Sequence, residues 1–243
     1  RFSADISFVG SMYHKNSYDD IKDKLPPYLR GYFDAAMLAQ LNIYGDNIID
    51  ELLTVDILKQ LSEFVDFRQD KRAFSDIRLV FESTFLGFKL ANIERVRTLN
   101  LLAKKNKVAL YTDEQDTSLI NVDFKGTVDY MNDMPKVFNN SSINLNMTIR
   151  NIRTGIPLRV WDILGAGGFL LTNYQIELTD YFKNEESIVY YEDMYDCCKK
   201  AEYYLLHEDK RRQIAAKGHE LVSKKHSYIN RVKYILDVIG KMS

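Results

Sequence analysis

The pattern of apolar and polar positions divides the chain into a short first strand, a long helical stretch and an alternating carboxyl-terminal part. The apolar run from Asp5 to Val9 stops at a Gly-Ser pair, which predicts a strand followed by a turn. From about Pro27 to Ala103, apolar residues recur at every third or fourth position, which predicts three or four helices with short breaks near Gly45 and Gln69.

Beyond this stretch, predicted strands alternate with predicted helices. The predicted strands are Val108 to Tyr111, Lys125 to Tyr130, Ile143 to Met147, Phe169 to Asn173 and Ser187 to Tyr191. The predicted helices are Pro157 to Leu164, Asp193 to Leu206, Asp209 to Lys224 and Ser227 to Ile239, with a short helix or turn over Pro135 to Phe138. Such alternation predicts an α/β fold with a mostly parallel sheet that helices cover on both faces.

Composition narrows the class of protein. The chain has 243 residues, of which 46% are hydrophobic, enough for one α/β domain with a small appendage. A net charge of −1 leaves no global positive field, so we expect no nucleic-acid partner. The adjacent Cys197 and Cys198 predict neither a disulfide nor a metal site. With no apolar run of membrane-spanning length and no leader pattern, we expect a cytoplasmic protein without a transmembrane segment.

Candidate binding residues concentrate between Asn144 and Asn173. The loop from Thr148 to Leu158 leaves the carboxyl end of a predicted strand, where ligands of open parallel sheets bind. Arg150 and Arg153 lie in this loop, and Arg159 lies in the first turn of the next helix. Three guanidiniums beside a helix N-terminus are typical of an anion site, and a diphosphate is the natural ligand. Three ordinary surface arginines are the alternative.

Five further residues complete the candidate site. Asp162 follows Arg159 by three positions, so its carboxylate either accepts hydrogen bonds from two ribose hydroxyls or pairs with Arg159. Gly10 and Ser11 follow the first strand, where their backbone N–H groups can approach a phosphate or a sugar. Asn146 and Thr148 stand at the end of the strand that precedes the arginine-rich loop. The motifs of hydrolases and kinases, G-x-S-x-G, the P-loop and H-E-x-x-H, do not occur.

The carboxyl-terminal half resembles a known family. The run NNSSINLNMTIRNIRTGIPLRVWDILGAGGFLLTN combines an L-N strand, R-x-x-[DE] before a glycine turn and a G-G-F-L-L strand; an acidic-aromatic loop and a closing H-S-Y-x-x-R helix start follow. This order of motifs is similar to that of the CgeB-like (spore maturation protein) glycosyltransferases, relatives of the GT-B enzymes. The resemblance covers about Val108 to Ile239, and the FVGS segment at the front matches more weakly.

The resemblance implies a Rossmann-like domain that binds a nucleotide-diphosphate sugar, with residues 1–26 and 104–243 in that domain and 27–103 as a helical insertion. It also implies that Asp162 holds the ribose, that Arg159 is the family arginine and that Gly10 belongs to the glycine-rich loop. Enzymes of this type generally need no metal, because helix dipole and basic side chains neutralise the leaving diphosphate. An amino-terminal acceptor domain, for an unknown polysaccharide or protein acceptor, is expected outside this chain.

One departure from the family pattern concerns the reaction. The retaining branch carries a second carboxylate eight residues before the ribose-binding acid, and that position is Thr154 here. Retaining and inverting stereochemistry therefore both stay open. Two other hypotheses remain: a non-catalytic nucleotide-binding or protein-interaction module with the same fold, and an unrelated flavodoxin-like or response-regulator-like domain. The segment FVGSMYHKN lacks the carboxylates that the latter would need at its first strand.

Overall fold

A computed structural model of the protein describes residues 2–65 and 76–242. The helix break predicted near Gln69 lies outside these residues. Within the described part of the chain, no helix is both long and apolar enough to cross a membrane.

The described strands form one six-stranded parallel sheet. They are β1 (Ala4–Val9), β2 (Val108–Tyr111), β3 (Asp123–Phe124), β4 (Ser141–Asn146), β5 (Leu170–Asn173) and β6 (Val189–Tyr191). Their order across the sheet is β3-β2-β1-β4-β5-β6, with every neighbouring pair parallel. This is the strand order of a dinucleotide-binding Rossmann fold. The predicted Rossmann-like parallel sheet with a helical insertion is confirmed.

Helices cover both faces of this sheet. In chain order the α-helices are α1 (Ser17–Ile21), α2 (Pro27–Gln40), α3 (Ile49–Leu52), α4 (Val55–Leu61), α5 (Ile77–Val80), α6 (Phe88–Leu102), α7 (Met134–Asn140), α8 (Leu158–Gly165), α9 (Leu178–Tyr181), α10 (Met194–Leu206), α11 (Glu208–Lys225) and α12 (Tyr228–Met242). A 3₁₀ turn over Lys22–Lys24 follows α1, and a π-helical segment over Phe81–Gly87 precedes α6.

Alternate strand residues face two separate apolar cores, as the two-residue period of a strand requires. In β2, Leu110 packs into the core that α6 and α10 cover, whereas Ala109 and Tyr111 pack into the core under α7, α8 and α11. Residues of neighbouring strands follow the same division. Because both faces of the sheet are buried, most strands appear in the sequence as continuous apolar runs.

The helices between β1 and β2 form a third apolar cluster, centred on residues such as Phe33 and Phe81. The long helix α6 belongs to both parts: Leu90 packs into the helical cluster, whereas Leu99 and Leu102 pack against the sheet. This helix therefore connects the helical stretch to the sheet. The predicted division into a sheet domain, residues 1–26 and 104–243, and a helical insertion, residues 27–103, stays a prediction.

Most predicted strands agree with the structure to within two residues, but the strand predicted from Lys125 to Tyr130 is wrong. Sheet pairing ends when the N–H of Lys125 donates to the carbonyl of Leu110 at 2.8 Å. Gly126 then adopts a φ of +73°, a left-handed conformation that extended strands do not have. Residues 125–133 instead form a loop, which brings Tyr130 close to α8.

Candidate functional site

A cleft of about 210 Å³ opens where the carboxyl ends of β1 and β4 meet, and we call it the switch-point cleft. These two strands are neighbours, and the order of strands reverses between them. Crevices of this kind are where ligands bind in open α/β sheets. Five of the predicted site residues line the cleft: Gly10, Ser11, Asn146, Thr148 and Arg159.

The loop after β1 is held by its own hydrogen bonds. The N–H of Gly10 donates to the carbonyl of Tyr111 at 3.0 Å, so this N–H is already occupied. The hydroxyl of Ser11 accepts the N–H of Tyr13 at 3.2 Å. Tyr13 has a φ of 51°, an uncommon conformation for a residue with a side chain. The backbone of this loop therefore forms one wall of the cleft.

Asn146 and Thr148 belong to a buried network of amides and hydroxyls on the opposite wall. Asn146 Nδ2 donates to the hydroxyls of Thr148 at 3.0 Å and Thr172 at 2.9 Å. The N–H of Thr148 donates to Asn173 Oδ1 at 2.8 Å, and Asn173 Nδ2 returns a hydrogen bond to the Thr148 carbonyl at 2.9 Å. Because these groups bond to one another, they fix the start of the arginine-rich loop at the end of β4.

Arg95 of α6 also lines the cleft and is not among the site residues predicted from the sequence. Its guanidinium donates to the carbonyl of Ser11 and, at 2.6 Å, to the carbonyl of Met147. It also lies over the rings of Phe8 and Tyr13, at 5.3 and 4.8 Å from their centroids. One side chain thus ties the loop after β1 to the loop after β4.

In the described residues, no acidic oxygen lies within ion-pair distance of the Arg95 guanidinium, and the Glu94 carboxylate, which raises the pKa of Arg95 from a greater distance, is already paired with Arg150. Burial lowers the pKa of Arg95 overall, but a guanidinium remains protonated under ordinary conditions. Carbonyl dipoles satisfy its N–H groups without cancelling a unit of charge. The cleft is therefore electropositive at its base, which favours an anionic ligand.

Arg159 brings a second positive charge to the cleft from the first turn of α8. This helix has Pro157 at its N-cap and no side-chain hydrogen bond to its first N–H groups. Arg159 Nη1 contacts Met134 Sδ, and the guanidinium lies 5.6 Å from the Phe138 ring centroid. An uncapped helix N-terminus beside a guanidinium is a favourable setting for a phosphate group.

Asp162 lies one turn further along α8 and lines a second cavity, of about 270 Å³, between α8 and the start of α12. Its Oδ2 is 3.5 Å from Arg159 Nη1, at the limit of a hydrogen bond. Its Oδ1 accepts a shorter hydrogen bond, 2.8 Å, from the hydroxyl of Tyr130. Arg159 and Asp162 are therefore in contact, yet each also lines a cavity. This arrangement is compatible with both predicted roles of Asp162, as a ribose contact and as the partner of Arg159.

Arg150 points away from the cleft. Its Nη2 donates to Glu94 Oε1 at 2.7 Å, and both side chains are almost completely buried. The Tyr44 hydroxyl donates to the same carboxylate at 3.0 Å, and the Arg150 guanidinium stacks 3.6 Å from the Tyr44 ring centroid. We call Tyr44, Glu94 and Arg150 the buried ion-pair cluster. Glu94 neutralises Arg150 inside the protein.

Arg153 is also directed elsewhere. Its Nη2 donates to Asp50 Oδ2 at 2.9 Å, and both side chains are partly exposed. The structure therefore does not bring the three predicted guanidiniums to one cavity. Arg159 lines the switch-point cleft, whereas Arg150 and Arg153 line a separate small cavity beside Gln175. These two arginines reach carboxylates of the helical stretch, at positions 94 and 50, which a local spacing argument cannot foresee.

A signal for Arg95 is visible in the sequence once α6 is known. Ala91, Arg95, Thr98 and Leu102 recur at four- and three-residue spacing, so the arginine stands within an otherwise apolar or small stripe. All four side chains are buried. A guanidinium in the inward stripe of a helix requires buried acceptors, and it marks a candidate site.

A family described as "Glycosyl transferase-like" matches residues 92–237, more than half of the chain. The matched segment begins within α6 and includes the arginine-rich loop, α8 and most of α12. No curated protein matches the sequence.

Similar solved structures include TarM, at 14% sequence identity and a TM-score of 0.48, with 59% of this chain and 31% of TarM covered. A complex of a TarM variant from S. aureus with Fondaparinux, alpha-GlcNAc-glycerol and UDP has 13% identity, a TM-score of 0.47 and the same coverages, 59% and 31%. The C-terminal domain of the glycosyl transferase group 1 family protein LpcC from Francisella tularensis has 13% identity and a TM-score of 0.46, with 55% and 78% covered. The chain thus spans less than a third of the length of TarM.

Proposed function

Because the chain belongs to the glycosyl transferase-like family, we propose that it forms the donor-binding part of a glycosyltransferase of the CgeB-like, GT-B type. Its ligand is a nucleotide-diphosphate sugar, held in the switch-point cleft. The observation that carries this proposal is the convergence of two positive charges on one cleft: Arg95 at its base and Arg159 at the start of α8.

The diphosphate lies between these two guanidiniums and the N-terminus of α8. Both walls are held in place beforehand, by Arg95 on one side and by the network of Asn146 and Thr148 on the other. A preorganised positive site of this kind stabilises the charge that develops on a leaving nucleoside diphosphate. We expect these basic side chains to do so without a metal ion.

The nucleoside extends from the cleft along α8 towards Asp162, whose carboxylate accepts hydrogen bonds from the ribose hydroxyls. In the transfer step, an acceptor hydroxyl of a polysaccharide or protein forms a bond to the anomeric carbon while the bond from that carbon to the diphosphate breaks. The acceptor proton passes to a base. We assign the acceptor, and any such base, to a second domain that closes over the cleft.

The Arg159→Ala variant tests this proposal. Calorimetric titration with UDP, GDP and the corresponding nucleotide sugars should show binding to the wild-type chain. Loss of a charge-assisted hydrogen bond to phosphate should weaken the affinity by about ten-fold or more. The matched control is Arg153→Ala, which removes a guanidinium that bonds to Asp50 outside the cleft and should leave the affinity unchanged.

Two results would contradict the proposal: none of these nucleotides binds the wild-type chain, or a folded Arg159→Ala variant binds as tightly as the wild type. The first result would favour a protein-interaction module with the same fold. A thermal-shift series with the same nucleotides gives an independent readout, because a ligand that binds only the folded state raises the melting temperature.

A further inference from the structure

The loop between β3 and α7 brings a tyrosine hydroxyl to the carboxylate that we assign to the ribose. Tyr130 Oη donates to Asp162 Oδ1 at 2.8 Å. The loop backbone is held by Asp129, whose Oδ1 accepts the N–H groups of Met131 at 3.1 Å and Asn132 at 2.7 Å. The Tyr130 side chain itself is 49% exposed. A half-exposed side chain on a well-held loop can rotate away from its partner without unfolding anything.

The two carboxylate oxygens of Asp162 differ in the length of the hydrogen bond that each accepts. Oδ1 accepts the short hydrogen bond from Tyr130, whereas Oδ2 is 3.5 Å from Arg159. An ionised carboxylate only accepts hydrogen bonds, and a vicinal diol binds it best by donating to one oxygen with each hydroxyl. Oδ2 is therefore nearly free for one ribose hydroxyl, whereas Oδ1 is already taken by a hydroxyl of the protein.

From this geometry we infer that the Tyr130 hydroxyl competes for Asp162 Oδ1: it occupies this acceptor until a nucleotide binds, and a ribose hydroxyl then replaces it. This inference rests on the proposed function, because it takes Asp162 as the ribose contact. The exchange replaces one O–H donor by another, so the carboxylate is never left without a partner.

The environment of Tyr130 fits this exchange. The hydrogen bond to Asp162 raises the pKa of the Tyr130 hydroxyl, as expected for a donor bound to a charged carboxylate. Asp162 also borders the 270 Å³ cavity, which Trp161 and Tyr228 line with aromatic rings. Space for a ligand group thus exists beside the carboxylate without movement of α8.

The test compares ribonucleotides with analogues that lack the diol. The affinities of UDP and GDP, and of their 2′,3′-dideoxy counterparts, are measured by calorimetry for the wild type and for Tyr130→Phe. Without the competing hydroxyl, the ribonucleotides should bind about five-fold more tightly, the equivalent of one ordinary hydrogen bond. The dideoxy analogues should bind both proteins equally. The ratio of the two affinities therefore rises about five-fold, which a purely structural role of Tyr130 would not cause.

Two further variants complete the design. Tyr130→Ala also lacks the hydroxyl, so its ratio of ribonucleotide to dideoxynucleotide affinity should rise as well. Tyr28→Phe is the matched control: the Tyr28 hydroxyl donates to Gln60 at 2.8 Å on an exposed face of the helical stretch, and its loss should leave every affinity unchanged.

The outcomes separate the inference from the proposed function. If UDP or GDP binds the wild type but the ratio does not rise in Tyr130→Phe, the role of Tyr130 is wrong and the donor site stands. If Tyr130→Phe gains equally for the dideoxy analogues, the hydroxyl does not compete with the diol and the inference is again overturned. If no nucleotide binds any of the proteins, the proposed function fails and the inference fails with it.

Discussion

The switch-point cleft and the buried ion-pair cluster use neighbouring residues of the same helix in opposite ways. Glu94 and Arg95 are consecutive in α6, and both are buried. Glu94 accepts a hydrogen bond from Arg150, so two opposite charges cancel within the protein. Arg95 donates to the carbonyls of Ser11 and Met147, so its positive charge persists beside the cleft. An arginine near a site is therefore informative only once its partner is known.

The difference also separates stability from binding. Removal of one member of the buried ion-pair cluster leaves the other charge buried without compensation, which is costly in free energy of unfolding. A change at the cleft breaks no completely buried ion pair, because Arg95 bonds to carbonyl groups and the 3.5 Å contact between Arg159 and Asp162 joins partly exposed side chains. We expect the first region to respond chiefly in stability and the second also in ligand affinity.

The largest effect is expected for Arg150→Met, which leaves the Glu94 carboxylate buried beside Tyr44 without a cation. The free energy of unfolding, measured by urea denaturation, should fall by about 3–5 kcal/mol. The control is the double variant Glu94→Gln with Arg150→Met, where no charge remains and the Tyr44 hydroxyl keeps an acceptor. It should regain most of the lost stability. Equal stability of the single and double variants would mean that the charge of Glu94 does not matter.

An intermediate effect is expected for Arg95→Lys, which keeps the charge at the cleft but cannot span two carbonyls with one planar group. Loss of one of the two hydrogen bonds should lower the free energy of unfolding by about 1–3 kcal/mol. Nucleotide affinity should fall as well, because the loops after β1 and β4 are no longer tied together. Arg97→Lys changes an exposed arginine of the same helix and is the control. Were both variants equally stable, Arg95 would not act as a tie.

The smallest effect is expected for Arg153→Ala. Its pair with Asp50 is partly exposed, with side-chain exposures of 49% and 36%, and such pairs contribute less than about 1 kcal/mol. Urea denaturation should give a small change at low salt and a smaller one at high salt, because dissolved ions screen an exposed pair. A loss as large as that of Arg150→Met would show that exposure is a poor guide to these ion pairs.

Local patterns predicted the parts of the site that depend on one continuous segment. The loop that follows β4 was expected on the ligand side of the sheet, and Arg159 at the start of α8 does line the cleft. Both depend on the carboxyl end of one strand and the beginning of the next helix. The same reasoning was wrong for residues 125–130, because apolar alternation did not reveal the left-handed Gly126 that ends β3.

Contacts between distant segments escaped that reasoning. Arg95 lies 84 positions from its partner Ser11, and Glu94 lies 56 positions from Arg150. Tyr130 reaches Asp162 across 32 positions. Each of these pairs depends on how helices pack on the sheet, and charge spacing along the chain does not contain that information.

The alternation of apolar runs, glycine turns and helical stripes by itself determined the α/β fold, the parallel sheet and the loop that borders the switch-point cleft. These features follow from local backbone preferences and from the burial of strand faces. Only the tertiary structure decided which arginine is neutralised and which keeps its charge beside the cleft. The physical reason is that pairing and desolvation of a charge depend on neighbours that folding brings together from far along the chain.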